Sequence, residues 1–268
     1  MTIEKDSTVA RAVNRSTGAT PAERYLGKLC EGTFLSLWSY PGLYRDQRSE
    51  GRTEGKEIAD LIVVFENDII IFSDKHCAVP SSGDARTNWS RWFRRAVAKS
   101  AEQAWGAERW IRQFPTRLFL DKECTQPFPL PLPPMSAAQF HLVVVAHEIA
   151  QQCSRELGGS GSLMIHSDLK GIENHTRPFT IGDLDPDRSF VHVFDDTSLN
   201  IVLQTLDTIA DFTGYLRKKE KLLRSHQVIL ATGEEELLSV YLRQMNSDGE
   251  HDFVFPSDAT CIVLDQGG

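Results

Sequence analysis

From Lys56 to Lys75 the chain reads Lys-Glu-Ile-Ala-Asp-Leu-Ile-Val-Val-Phe-Glu-Asn-Asp-Ile-Ile-Ile-Phe-Ser-Asp-Lys. Two apolar runs, Leu61 to Phe65 and Ile69 to Phe72, are separated by the polar triplet Glu66-Asn67-Asp68. Short β-branched and aromatic runs joined by so short a turn specify an antiparallel hairpin. The hairpin admits Asp60 at the start of its first strand and delivers Ser73, Asp74 and Lys75 at the end of its second. A carboxylate and an ammonium therefore meet at one edge of a sheet.

The neighbouring sequence builds elements around this hairpin. Residues 1–19 lack periodicity and read as a flexible arm. Thr20-Pro21-Ala22-Glu23 opens a helix, with a cap, a first-turn proline and an early acid, that runs to about Glu31. Phe34 to Tyr40 predicts a strand stopped by Pro41-Gly42. Residues 89–113 predict a helix opened by Asn88 or Ser90, with Trp89, Trp92, Phe93, Ala96, Val97, Ala104, Ala107 and Ile111 at helical spacing. Arg117 to Leu120 predicts a short strand. The stretch 126–135 is proline-rich, fits neither helix nor central strand, and reads as an extended connector between domains. Beyond it come a buried-type strand (Phe140 to Ala146), a helix (Ile149 to Leu157) and a second strand (Phe190 to Phe194). One long helix (Thr197 to Ser225) follows, with Asp195-Asp196 at its cap, then a strand (Val228 to Ala231) and a short helix (Glu234 to Met245).

Composition sets the class. A hydrophobic content of 41% and a charged content of 25% are ordinary for a soluble globular chain. Neither a membrane-length apolar run nor a signal-peptide core is present, and the five scattered cysteines form no CxxC pair. These features predict a cytoplasmic protein without a membrane association. Net charge is −8, yet residues 86 to 117 hold eight basic side chains and two acids. Arg91, Arg94, Arg95 and Lys99 lie in that basic stretch and are candidate contacts for nucleic-acid phosphates. Its tryptophans (Trp89, Trp92, Trp105, Trp110) are expected mostly in the core.

Cutting a phosphodiester requires a cation on the phosphate and a positioned, partly deprotonated water. Carboxylates hold a hard cation while leaving waters on it, and a nearby lysine can orient the nucleophile. Asp60 and Lys75 supply two of these parts, and Glu23 a further carboxylate. In this order of helix, strand, Asp-bearing strand, Lys-bearing strand and helix, the first 120 or so residues resemble the PD-(D/E)xK nuclease superfamily. The resemblance implies a restriction-endonuclease-like α/β core, a mixed central sheet flanked by helices, over 20–125, followed by a C-terminal α/β regulatory or assembly region over 136–268. It implies Mg2+ (or Mn2+) held by Asp60 and Glu23, with Lys75 beside the water and Gln103 or Lys99 assisting from the following helix. The superfamily's second acid stands two residues before the lysine, where this chain has Ser73. Strand alternation puts Ser73 and Lys75 on one face and Asp74 on the other, so Asp74 is no substitute. Glu57, at the strand entrance, is the candidate replacement.

Three further phrases resemble a family of bacterial anti-phage defence proteins: Ile69 to Lys75, Phe179-Thr180-Ile181-Gly182-Asp183, and Leu206 to Phe212 with Tyr215-Leu216. That resemblance implies a nuclease acting on DNA or RNA with a co-encoded protein partner, a homodimer, or both. A catalytically inactive nuclease fold that binds nucleic acid or scaffolds a complex is the alternative, and Ser73 is the feature favouring it. His147-Glu148-Ile149-Ala150-Gln151 lacks the second histidine of a zinc protease, and His76-Cys77 reads as a strand end rather than a metal site. No phosphate loop is present.

Overall fold

The computed structural model describes residues 24–30, 38–47, 51–80 and 83–265. After a helical stretch over 24–30 (α1), three strands form an antiparallel meander: β1 (Ser39–Arg45), β2 (Lys56–Phe65) and β3 (Asp68–His76). A long helical unit follows, made of α2 (Ala85–Phe93), a π-helical turn (Arg94–Ala98) and α3 (Lys99–Gln113). Next come β4 (Leu118–Phe119), β5 (Gln139–His147), α4 (Ala150–Leu157), β6 (Met164–Lys170), β7 (Thr180–Asp183) and β8 (Val191–Phe194). The chain continues through α5 (Asp196–Thr205), α6 (Ile209–Leu223), β9 (Val228–Ala231), α7 (Glu234–Arg243) and β10 (Cys261–Leu264). No described helix is long and apolar enough to cross a membrane.

The fold is α/β, with a mixed six-stranded sheet in the order β4-β1-β2-β3-β5-β8 and helices on both of its faces. β5 is parallel to β3 and β8 parallel to β5. The apolar runs of β3 and β5 are buried on both faces because they lie at the centre of this sheet. Ile62, Val64, Ile69 and Ile71 pack under α2 and α3. Leu61, Val63, Ile70 and Phe72 pack against α5, α6 and Leu26 of α1. A four-stranded sheet, β10-β9-β6-β7, carries its own cluster of Ile165, Ile229, Leu237 and the end of α6.

The basic helix is fixed by its tryptophans, all four of them buried. Each indole N–H donates to a main-chain carbonyl of another segment: Trp89 to His175 (2.9 Å), Trp92 to His147 (3.3 Å), Trp105 to Ser189 (2.8 Å) and Trp110 to Arg117 (3.3 Å). This meets the requirement that a buried indole N–H find a partner.

Several sequence expectations need correction. The first strand does not stop at Pro41-Gly42 but runs through them to Arg45, and the 34–37 part of the expected strand lies outside the described residues. Gly42 makes this passage possible with a φ of 66°, a left-handed conformation that glycine adopts without penalty. The basic helix starts at Ala85, because Asp84 caps it by accepting from the Thr87 N–H at 2.7 Å. The expected long helix is two helices, broken over 206–208, where Thr208 caps α6 by accepting from the Asp211 N–H at 3.0 Å. Strands β6, β7 and β10 were not expected. The proline-rich stretch 126–135 does not separate two sheets: β4 before it and β5 beyond it belong to the same one. An extended, proline-rich segment can link strands of one sheet as readily as it links two domains.

Candidate active site

The carboxyl end of β3, the amino end of β2 and one side of α3 enclose a cleft of about 690 Å³. Asp60 and Glu57 enter it from β2, Lys75 from β3, and Gln103 with Glu102 from α3. Arg45, Lys56 and Arg109 add positive charge to its walls. Gly106 and Ala107 are the small residues of α3 lining it. The expected residues Asp60, Glu57, Lys75 and Gln103 thus come together.

Local backbone geometry explains the pair of carboxylates. In a regular strand, residues three apart face opposite sides. Leu43 pairs with Ala59 and Tyr44 with Glu57, so Ile58 is an extra residue on β2. Such a bulge reverses the alternation and brings Glu57 to the side of Asp60. The Asp60 carboxylate is held in place by the neighbouring strand, its Oδ2 accepting the Asp74 backbone N–H at 2.7 Å.

Ser73, in the second-acid position, is 1% exposed, and its Oγ has no hydrogen-bond partner among the described residues. Alternation places it on the side of Ile69 and Ile71, beneath the helical unit. The cleft therefore offers three carboxylates, Asp60, Glu57 and the Arg188-paired Glu102, with Lys75 and Gln103 beside them. This all-oxygen carboxylate set suits a hard divalent cation. Glu23, the other expected ligand, lies outside the described residues.

The basic candidates occupy a different place. Arg91 and Arg94, with Arg86 and Arg177, line a second groove of about 630 Å³ between α2 and the segment before β7. Arg95 and Lys99 are exposed on the same helical unit but do not line that groove. The π-helical turn at Arg94–Ala98 shifts the register between the two halves of this unit.

The opposite face of the β3 end carries a group that the sequence did not reveal. Asp74 points away from Lys75, as alternation predicts, and its Oδ1 lies 2.6 Å from Nε2 of His147. His76 stacks on His147 with ring centres 3.8 Å apart and planes 12° apart. One ligand atom from each of Asp74, His76 and His147 lies within 4.8 Å of the others. The parallel register of β3 and β5, in which His76 pairs with His147, creates this proximity. The signal in the sequence was a histidine at the end of each of two central strands, readable only once their pairing is known. Neither a protein-family model, nor a curated protein, nor a solved structure matches the chain.

Proposed function

We propose that the cleft is the active site of a metal-dependent nuclease with a restriction-endonuclease-like core, hydrolysing phosphodiester bonds in DNA or RNA. The observation that carries this reading is the convergence of Asp60, Glu57, Lys75 and Gln103, from three elements, on one cleft. The succession of a helix, an antiparallel meander, a helix and a parallel strand agrees with the resemblance of the N-terminal half.

In this reading Asp60 and Glu57 hold Mg2+ (or Mn2+), with Glu23 as a further ligand. The bound cation supplies Lewis-acid polarisation of a phosphate oxygen and a more acidic water. Lys75 orients the attacking water and balances charge on the phosphorane-like transition state. Gln103 positions the same water by hydrogen bonding. Water adds to phosphorus and gives up a proton to solvent, the P–O bond to the leaving sugar oxygen breaks, and that oxygen takes up a proton from solvent. Arg45, Lys56 and Arg109 meet flanking phosphates, and the groove of Arg91 and Arg94 carries the nucleic acid further along the surface. Anti-phage defence with a co-encoded partner or as a homodimer, in the cytoplasm, is the setting that the resemblance supports.

Ser73 favours a second reading, a nuclease fold that binds nucleic acid without cutting it. Cleavage of single-stranded and duplex DNA and RNA, with Mg2+ or Mn2+ and with chelator, separates the two. The nuclease reading expects metal-dependent cleavage that falls at least about 100-fold in Asp60→Asn and Lys75→Ala. Binding without cleavage by the wild-type chain, unaltered in both variants, establishes the second reading instead.

A further inference from the structure

We infer that Asp74, His76 and His147 form a binding site for a zinc-class divalent ion, separate from the cleft and on the other face of β3. This goes beyond the nuclease reading and uses none of its ligands.

Three observations carry it. First, the donor set is two imidazoles and one carboxylate, gathered within 4.8 Å. Imidazole nitrogen suits zinc and its neighbours in the first transition row, whereas magnesium prefers oxygen alone. Second, the Asp74 side chain is 1% exposed, and its Oδ2 has no hydrogen-bond partner among the described residues. A buried carboxylate oxygen without a donor is costly, and a cation at this place compensates it. Third, the chain turns sharply at the site. Glu148, directly after His147, has a φ of 67°, a region that residues other than glycine seldom adopt. That turn leaves the Glu148 carboxylate 3.8 Å from Nδ1 of His76. At that distance the two are not hydrogen-bonded, but the negative charge beside His76 adds to that of Asp74 in favouring a cation here.

The site is half open. His147 and Asp74 are buried, and the His76 side chain is 45% exposed. Three protein ligands with an accessible side leave room for a water as the fourth ligand. Without an ion, the hydrogen bond between Nε2 of His147 and Oδ1 of Asp74 closes the site. A bound ion takes the place of the shared proton, which leaves to solvent, and the two atoms separate modestly to admit it. The ion then ties the ends of β3 and β5 together. It does so at the residue whose N–H holds the Asp60 carboxylate.

The test is metal binding by the full chain. Protein freed of metal by chelator is titrated calorimetrically with Zn2+, and with Co2+ to read its visible ligand-field absorption. The expected result is one equivalent of Zn2+ with nitrogen-type Co2+ spectra in the wild type. His76→Gln, at a half-exposed position that the core does not need, weakens binding about 10- to 100-fold and abolishes the Co2+ bands. Asp74→Asn does the same, while Lys75→Ala, in the cleft, binds Zn2+ as the wild type does. Circular dichroism checks that each variant is folded, and His76→Gln alone decides if Asp74→Asn is not. Absence of stoichiometric Zn2+ binding in the wild type, or wild-type affinity in folded His76→Gln, overturns the inference. Since cleavage is never measured, neither result depends on the cleft being a nuclease.

Discussion

Ser73 is the residue on which the catalytic reading turns. Its hydroxyl is buried, and no donor or acceptor among the described residues satisfies it. A hydrogen-bonded hydroxyl there would make Ser73→Ala costly. The unpartnered one predicts the opposite: stability unchanged, or raised by up to about 1 kcal/mol, in urea unfolding. A loss of 2 kcal/mol or more would mean that the hydroxyl has a bonded role in the fold. Asp60 calls for a different substitution. Alanine would strip the acceptor from the Asp74 N–H, whereas asparagine keeps an oxygen there, so Asp60→Asn separates loss of charge from loss of structure. At this scale alternation was enough to assign Ser73 and Lys75 to one face and Asp74 to the other. It could not show that Glu57 joins Asp60, because a bulge is a property of two strands in register and not of one strand's pattern.

Among the elements, what was legible follows from burial. The central strands announce themselves as continuous Ile and Val runs, and the tryptophan face of the basic helix by its spacing. The split of the long helix was hidden because Leu206 and Ile209 keep apolar periodicity across the break. Only the Thr208 cap ends it. Strand β6 is polar in part, β7 and β10 are only four residues each, and their sheet exists through pairings distant in sequence. Two glycines report opposite local constraints. Gly106, on α3, has open space where a Cβ would stand. Gly106→Ala should therefore stabilise the chain by about 0.5–1 kcal/mol through reduced freedom of the unfolded chain. A Cβ on Gly182 would instead run into the backbone carbonyl oxygens of Leu169 and His166. Gly182→Ala should cost roughly 2–3 kcal/mol, the penalty of overpacking. Denaturant midpoints of the two variants should move in opposite directions. A shift in the same direction would contradict the packing around β6 and β7.

For the whole molecule, the six-stranded sheet joins both halves of the sequence, and two buried histidines tie its stability to pH. His192, on β8, is fully buried, and neither ring nitrogen has a hydrogen-bond partner among the described residues. Burial pushes its pKa well below the ordinary 6.5, and the charges of Lys219, His141 and Arg224 push it the same way. His175 is also lowered, first by burial, against the opposing bond to the Gly171 carbonyl and the charges of Asp183 and Glu173. Its Nδ1 donates to that carbonyl at 2.8 Å while its Nε2 accepts the Gly182 N–H at 3.0 Å, which a protonated ring cannot do. Both rings are neutral in the fold, but in the unfolded chain they protonate near pH 6.5. Below that pH the unfolded state binds more protons, so stability is full above the unfolded pKa and falls as the solution is acidified toward the folded values. Each histidine contributes a slope of up to about 1.4 kcal/mol per pH unit. The carboxylates held low, Asp68, Asp84 and Asp121, act only near and below 3.8, outside this window. Unfolding free energy measured between pH 7.5 and about pH 5.5 should therefore decline on acidification. In His192→Leu, which removes an unsatisfied buried group, that decline should fall to roughly half, with stability at neutral pH preserved or raised. An unchanged slope would show that His192 takes up its proton in the folded protein, and that β8 is not sealed between the helices as described.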